Sequence, residues 1–175
     1  MTIHPGARLT DTGRRFPCRA PVNRDNASLQ IEDGSCLPIQ GPPGTGKTYT
    51  GAHQIVDLAL AGRRVGVTAM SHAVITNLLD GVTKVASERG VTIRIGQRPG
   101  SDGQFVSQAA AEAELLFKST DQMVTAFKDG IVDVVGGTTW VWTSDKTSAF
   151  LDVLLVDEAG QMSMGLLPFT DISLR

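Results

Sequence analysis

The sequence predicts an α/β domain with three layers around a parallel sheet, and three observations predict it. Apolar runs alternate with segments of helical periodicity. The runs are apolar at successive positions rather than at every second one, so both faces of each strand are expected to be buried. A glycine-rich turn separates the first run from the first helix, the order that a phosphate-binding loop requires.

The elements follow in order. Residues 1–28 are rich in Arg, Pro, Gly, Asp and Asn and show neither helical nor alternating periodicity, so they read as a poorly structured lead-in to a domain over 29–175. "SCLPIQ" is a short apolar strand, and "KTYTGAHQIVDLALAG" carries Ala52, Ile55, Val56, Ala59 and Leu60 at helical spacing before stopping at Gly62. "RRVGVTAM" reads as a buried strand. "SHAVITNLLDGVTKVASERG" sets Val74, Ile75, Leu78, Leu79, Val82 and Val85 on one helical face, with Ser71 as N-cap and Gly90 as stop. "VTIRIG" is a further strand and "RPGSDG" a loop. From Gln104 to Lys128 the chain favours helix, with Leu115, Leu116, Met123, Val124 and Phe127 as apolar contacts and a break at "STD". "IVDVVGGTTWVW" and "FLDVLLVDEAG" are two more buried strands.

Length and charge bound the function. The 175 residues suit one domain, and a net charge of −2 supplies no global attraction for a polyanion, so nucleic-acid binding would rest on local patches. Cys18 and Cys36 are too far apart for a CxxC pair, and His4, His53 and His72 have no metal-ligand spacing. Neither a signal-peptide core nor a run of about 20 apolar residues occurs, so a cytoplasmic protein is expected.

Two constellations carry chemistry. Gly41, Pro42, Pro43, Gly44, Thr45, Gly46, Lys47 and Thr48 satisfy GxxxxGK[ST]. Gly44 and Gly46 let backbone N–H groups turn inward on phosphate oxygens. Lys47 adds a full charge for the β- and γ-phosphates at the positive end of the following helix, and the Thr48 hydroxyl is a ligand for Mg²⁺. The second constellation is "VLLVDEAGQ", Val153 to Gln161, in which Asp157 emerges at the C-terminal end of an apolar strand, where ligands of open α/β sheets bind. Asp157 is expected to hold the ion, and Glu158 to orient or deprotonate an attacking water. Two adjacent carboxylates favour hydrolysis over phosphate transfer to a second substrate. The chain has neither the NKxD guanine selector of a Ras-like GTPase nor the LSGGQ signature of an ABC-type ATPase.

The pair "GPPGTGKT" and "DEAGQ" resembles the first two ATPase motifs of superfamily 1 helicases. The likeness is to the branch that includes the nonsense-mediated-decay RNA helicase and the helicase parts of bacterial RecB-like nuclease fusions. It spans about Leu37 to Met162, because "VGVTAMSHAVITNLL", with Asn77, and "VVGGTTW" are similar to the family's two polar turns between those motifs. The resemblance implies a RecA-like P-loop ATPase domain of AAA type, with ATP and Mg²⁺ as cofactors and single-stranded DNA or RNA as partner. It makes Lys47, Asp157, Glu158 and Gln161 the catalytic set, Gln161 contacting the γ-phosphate or relaying its loss. Ser71, His72, Thr138 and Thr139 become contacts to phosphate or sugar.

Residue by residue, plainer roles stand beside these. Ser71 serves equally as an N-cap, and His72 as a half-buried turn residue. Trp140 and Trp142 read as strand core ahead of base-stacking aromatics. Lys84, Arg89, Arg94 and Arg98 read as a solvated face ahead of a polyanion site. Gln30 does not match the surroundings of the family's adenine-reading glutamine, so adenine specificity is implied by resemblance alone.

The family continues past DEAGQ through a strand with a Gly-Asp…Gln motif to a second RecA-like domain, whose arginines reach the ATP site. The sequence reads "MSMGLLPFTDISLR" there, so a domain incomplete at its C-terminus is expected, one that binds ATP and scarcely hydrolyses it. An inactive nucleotide-binding fragment and a small P-loop kinase are the alternatives.

Overall fold

The computed structural model describes residues 46–159, with 102 and 149 excepted. The lead-in over 1–28, the "SCLPIQ" strand, Gly41 to Thr45 and Gln161 lie outside the described residues.

The chain runs α1 (Lys47–Leu60), β1 (Val65–Thr68), α2 (His72–Glu88), β2 (Ile95–Gln97), α3 (Gln108–Glu112), α4 (Thr120–Lys128), β3 (Val134–Gly136), α5 (Thr139–Trp142), α6 (Asp145–Ser148) and β4 (Val153–Val156). The strands form one all-parallel sheet in the order β2-β3-β1-β4. Parallel neighbours need crossovers, and helices supply them on both faces, so the fold is α/β.

Alternation along the strands assigns the faces. Val65 and Val67 of β1 and Val134 of β3 pack against the buried stripes of α1 and α2. Those stripes are Ala52, Ile55, Val56 and Ala59 in α1 and Ile75, Leu78, Leu79, Val82 and Val85 in α2, recurring every three or four residues. The opposite face takes Val135 of β3 with Leu151, Met123 and Phe127 from α4, and Val141 and Trp142 from α5. Each fully buried side chain of this size contributes about 1.5–3 kcal/mol through apolar burial.

α2 begins where the sequence places it. The Ser71 hydroxyl accepts from the Val74 N–H at 3.3 Å, and Gly90 ends the helix at φ 65°.

Three expectations need correction. The helix over Gln104 to Lys128 is two helices, because Glu114 turns left-handed at φ 55° and Leu116 bridges to Gln97 beside β2. Ser119 then caps α4 by accepting from the Gln122 N–H, at the break expected from "STD". The strand over "IVDVVGGTTWVW" stops at Gly136, and Thr139 to Trp142 coil into a helical turn. Trp142 is buried as expected and its indole N–H donates to the Gly137 carbonyl at 3.0 Å, but Trp140 points outward with 75% of its surface exposed. Finally, β1, β2 and β3 are buried throughout, whereas all four residues of β4 are half-buried.

The amino-terminal edge of the sheet is fastened by a repeated clamp. The residue before β1, Arg64, pairs with the residue before β4, Asp152. Its Nε donates to Oδ2 and its Nη2 to Oδ1, both at 3.0 Å, and its backbone N–H donates to Oδ2 at 2.7 Å. The residue before β2, Arg94, holds the residue before β3, Asp133, with the same three donors, and also donates to the Gly130 carbonyl. Each fork bridges two strands at their start, fixing register where the apolar core gives way to water.

Candidate nucleotide site

The carboxyl edge of the sheet gathers the candidate residues. Ala61 to Arg64 lead from the end of α1 into the start of β1, so α1 runs against the strands and begins at their carboxyl edge. Gly46 precedes it in the left-handed region at φ 75°, and a Cβ built there would meet nothing within 4 Å. That conformation suits glycine. Lys47 and Thr48 are the first two residues of α1, Lys47 half-buried and Thr48 exposed. No acidic side chain occupies the first turn, so its positive end is uncompensated by the helix itself.

Asp157 and Glu158 follow β4 at the same edge. The Asp157 N–H donates to the Thr68 carbonyl at 2.9 Å, extending the β1–β4 ladder by one residue. Its carboxylate Oδ1 accepts from the Glu158 N–H at 2.9 Å. Glu158 is exposed and held at φ 54°, a conformation that L-residues other than Asn and Asp rarely adopt, and which costs on the order of 1–3 kcal/mol.

The two polar turns lie beside it. Ser71 and His72 follow β1, while Thr138 and Thr139 follow β3. The turns from β3, β1 and β4 therefore stand side by side at one edge. The Ser71 hydroxyl is engaged as N-cap, His72 is half-buried with its Nδ1 lacking a partner among the described residues, and Thr139 is buried. Thr138 precedes α5 without a side-chain cap.

Three of the four cations of the basic cluster are engaged with neighbours. Arg89 pairs with Asp57 at 2.7 Å, Arg94 with Asp133, and Arg98 donates to the Thr120 hydroxyl at 3.1 Å. This accords with a solvated face rather than a polyanion site.

Sequence reasoning missed one polar network near this edge. The Gln97 side chain, fully buried at the end of β2, accepts from the Ser107 N–H at 2.7 Å and donates to the Phe105 carbonyl at 2.9 Å and the Thr76 hydroxyl at 3.2 Å. The Thr76 hydroxyl also donates to the Phe105 carbonyl at 2.6 Å. Together they pin the loop after β2, with Phe105 at φ 55° and its ring exposed. A glutamine ending a short apolar strand was the available signal. Tyr49 and His53 were also missed; their rings meet edge to face, 4.5 Å between centroids, one turn into α1.

Among the described residues, no three or more His, Cys, Asp and Glu side chains form a metal-binding group, and no helix is long and apolar enough to cross a membrane. No protein-family model matches the chain, and no curated protein matches it.

Proposed function

We propose that this chain is a Mg·ATP-binding P-loop domain of the RecA-like type found in superfamily 1 helicases. One observation carries the reading: Gly46, Lys47 and Thr48 open α1 at the edge of the parallel sheet where Asp157 and Glu158 end β4. A lysine at the start of a helix whose first turn lacks a carboxylate suits a polyphosphate. An aspartate one residue beyond a strand, its backbone locked to the next strand, suits a cation bound to that polyphosphate.

Gly41 to Gly46 would wrap the phosphates with backbone N–H groups, Lys47 would neutralise their charge, and Thr48 and Asp157 would hold Mg²⁺. An ion held by Thr48 and Asp157 would supply charge neutralisation to the polyphosphate. Glu158 orients or deprotonates the attacking water, and Gln161 is proposed to contact the γ-phosphate. Single-stranded DNA or RNA is proposed to run along Ser71, His72, Thr138 and Thr139.

The experiment is ATP turnover measured with and without single-stranded DNA or RNA. Mg-dependent hydrolysis that the polymer stimulates supports the helicase reading. Mg-dependent nucleotide binding without any response to polymer removes the nucleic-acid half of it. Transfer of phosphate to a nucleoside or metabolite replaces it with a kinase.

A further inference from the structure

We propose that the carboxyl edge of the sheet carries a track for single-stranded nucleic acid that runs on past β3 to β2, with the rings of Trp140 and Phe105 as base-stacking faces. This rests on the nucleic-acid half of the proposed function and adds residues which that reading does not use.

Phe105 belongs to the loop after β2, yet its backbone is tied to the strand end. Its carbonyl accepts from the Thr76 hydroxyl at 2.6 Å and from the Gln97 amide at 2.9 Å, while the Ser107 N–H donates to the Gln97 side-chain oxygen at 2.7 Å. Gln97 and Ser107 are fully buried. These bonds hold Phe105 in the left-handed region at φ 55°, which a large side chain rarely adopts and which glycine or asparagine would suit better. What they hold in place is a ring with 56% of its surface in water. Neither core packing nor turn geometry accounts for a phenylalanine there. A ring already fixed in water loses little further freedom when a flat partner stacks on it.

Trp140 reaches water by another route. Trp142 coils back to the Gly137 carbonyl, and the same helical turn carries Trp140 outward, the most exposed of the large apolar side chains among the described residues. That turn follows β3, which lies between β1 and β2. The Arg98 N–H donates to the Gly136 carbonyl at 2.8 Å, so β2 and β3 stay joined to the point where both leave the sheet. From β1 to β2 the edge therefore presents Ser71 and His72, then Thr138 to Trp140, then Arg98 and the loop of Phe105. Thr76, which holds Phe105, belongs to α2, whereas Trp140 belongs to α5 on the opposite face, so each ring takes a separate base.

Charge favours nucleic acid as the occupant. Arg89 and Arg94 each pair with an aspartate, but Arg98 donates to the neutral Thr120 hydroxyl, so that partner leaves its charge uncompensated. Lys118 is exposed one residue beyond Phe117, whose N–H donates to the Gln97 carbonyl at 2.9 Å, and this sets a second cation at the end of β2. Rings interleaved with cations and hydroxyls match a single strand with unpaired bases, the rings taking bases of any sequence and the cations taking phosphates.

Fluorescence polarisation of the full chain with labelled oligothymidylate, oligouridylate and an abasic oligomer of equal length tests this. At least about tenfold tighter binding of a base-bearing oligomer than of the abasic one is expected, since each stacked base is typically worth about 5- to 150-fold. A preference shown with either sugar supports the proposal. Trp140→Ala and Phe105→Ala should each shrink that ratio about fivefold or more, and Trp140→Phe, which keeps a ring, should restore most of it. Equal affinity for base-bearing and abasic oligomers, or a ratio unmoved by both alanine variants, overturns this inference and leaves the functional reading standing. Binding of no oligomer overturns it together with the nucleic-acid half of that reading, while Mg·ATP titration scores the other half. Alanine variants that alter only the sedimentation of the chain would make the rings a contact between copies, which also overturns the proposal.

Discussion

The Asp157 N–H donates to the Thr68 carbonyl at 2.9 Å, so the acidic end of β4 is fixed to the end of β1 by backbone rather than by side chains. Substituting the Asp157 side chain therefore leaves this attachment in place. Asp157→Asn is expected to retain the folded stability to within about 0.5 kcal/mol while weakening the Mg²⁺ dependence of nucleotide binding. Denaturant melts and nucleotide titrations with and without Mg²⁺ check both halves.

Gly136 of β3 lies directly under α2. A Cβ there would come 2.6 Å from Ile75 Cγ2 and 2.7 Å from Leu79 Cδ1, and both side chains are fully buried. Gly136→Ala is expected to cost about 1–3 kcal/mol through overpacking, read as a lower denaturation midpoint at unchanged slope. Wild-type stability in this variant would mean that α2 does not press on β3.

Gln97→Ala removes a fully buried amide and leaves the Ser107 N–H and Phe105 carbonyl without that partner. A loss of about 1–3 kcal/mol is expected, with hydrogen exchange accelerated at the Ser107 N–H. Unchanged exchange at Ser107 would contradict the role given to this glutamine.

The Arg64–Asp152 fork predicts a pH dependence. Hydrogen bonding to the Arg64 side chain holds the Asp152 carboxyl below its ordinary range, and the same bond raises the Arg64 guanidinium. A carboxyl lowered in the folded state stabilises the fold fully above its unfolded value, about 3.9, and loses that contribution as pH falls through the folded value. Asp152→Asn is therefore expected to lower stability by about 1 kcal/mol at neutral pH, because the pair is partly exposed, and to match the unsubstituted chain under acid conditions. Acid and neutral melts of the two proteins make the comparison; an equal difference at both pH values would contradict it.

Much of this molecule is legible in the sequence. The stripe from Ile75 to Val85 gives α2, Ser71 gives its start and Gly90 its stop, and successive valines give buried strands. The misreadings have tertiary causes. "GGTTWVW" has the residues of a strand, but Trp142 finds the Gly137 carbonyl by coiling back, which turns Trp140 out to water. Gln104 to Lys128 has helical composition, yet Leu115 and Phe117 pack against the sheet instead of continuing a helix. The Arg64–Asp152 and Arg94–Asp133 forks join residues 88 and 39 positions apart, which no local pattern reveals. Of the candidate site, Lys47, Thr48, Asp157 and Glu158 fall at the expected ends of their helix and strand, while the left-handed turn at Glu158 depends on the fold.

The most direct measurement of the central claim is a calorimetric titration of the full chain with Mg·ATP, beside Lys47→Ala. The account predicts a saturable, Mg-dependent isotherm for the unsubstituted chain and at least about a tenfold weaker one for the variant, corresponding to loss of about 1.4 kcal/mol or more. No binding by the unsubstituted chain, or equal binding by both, would contradict it.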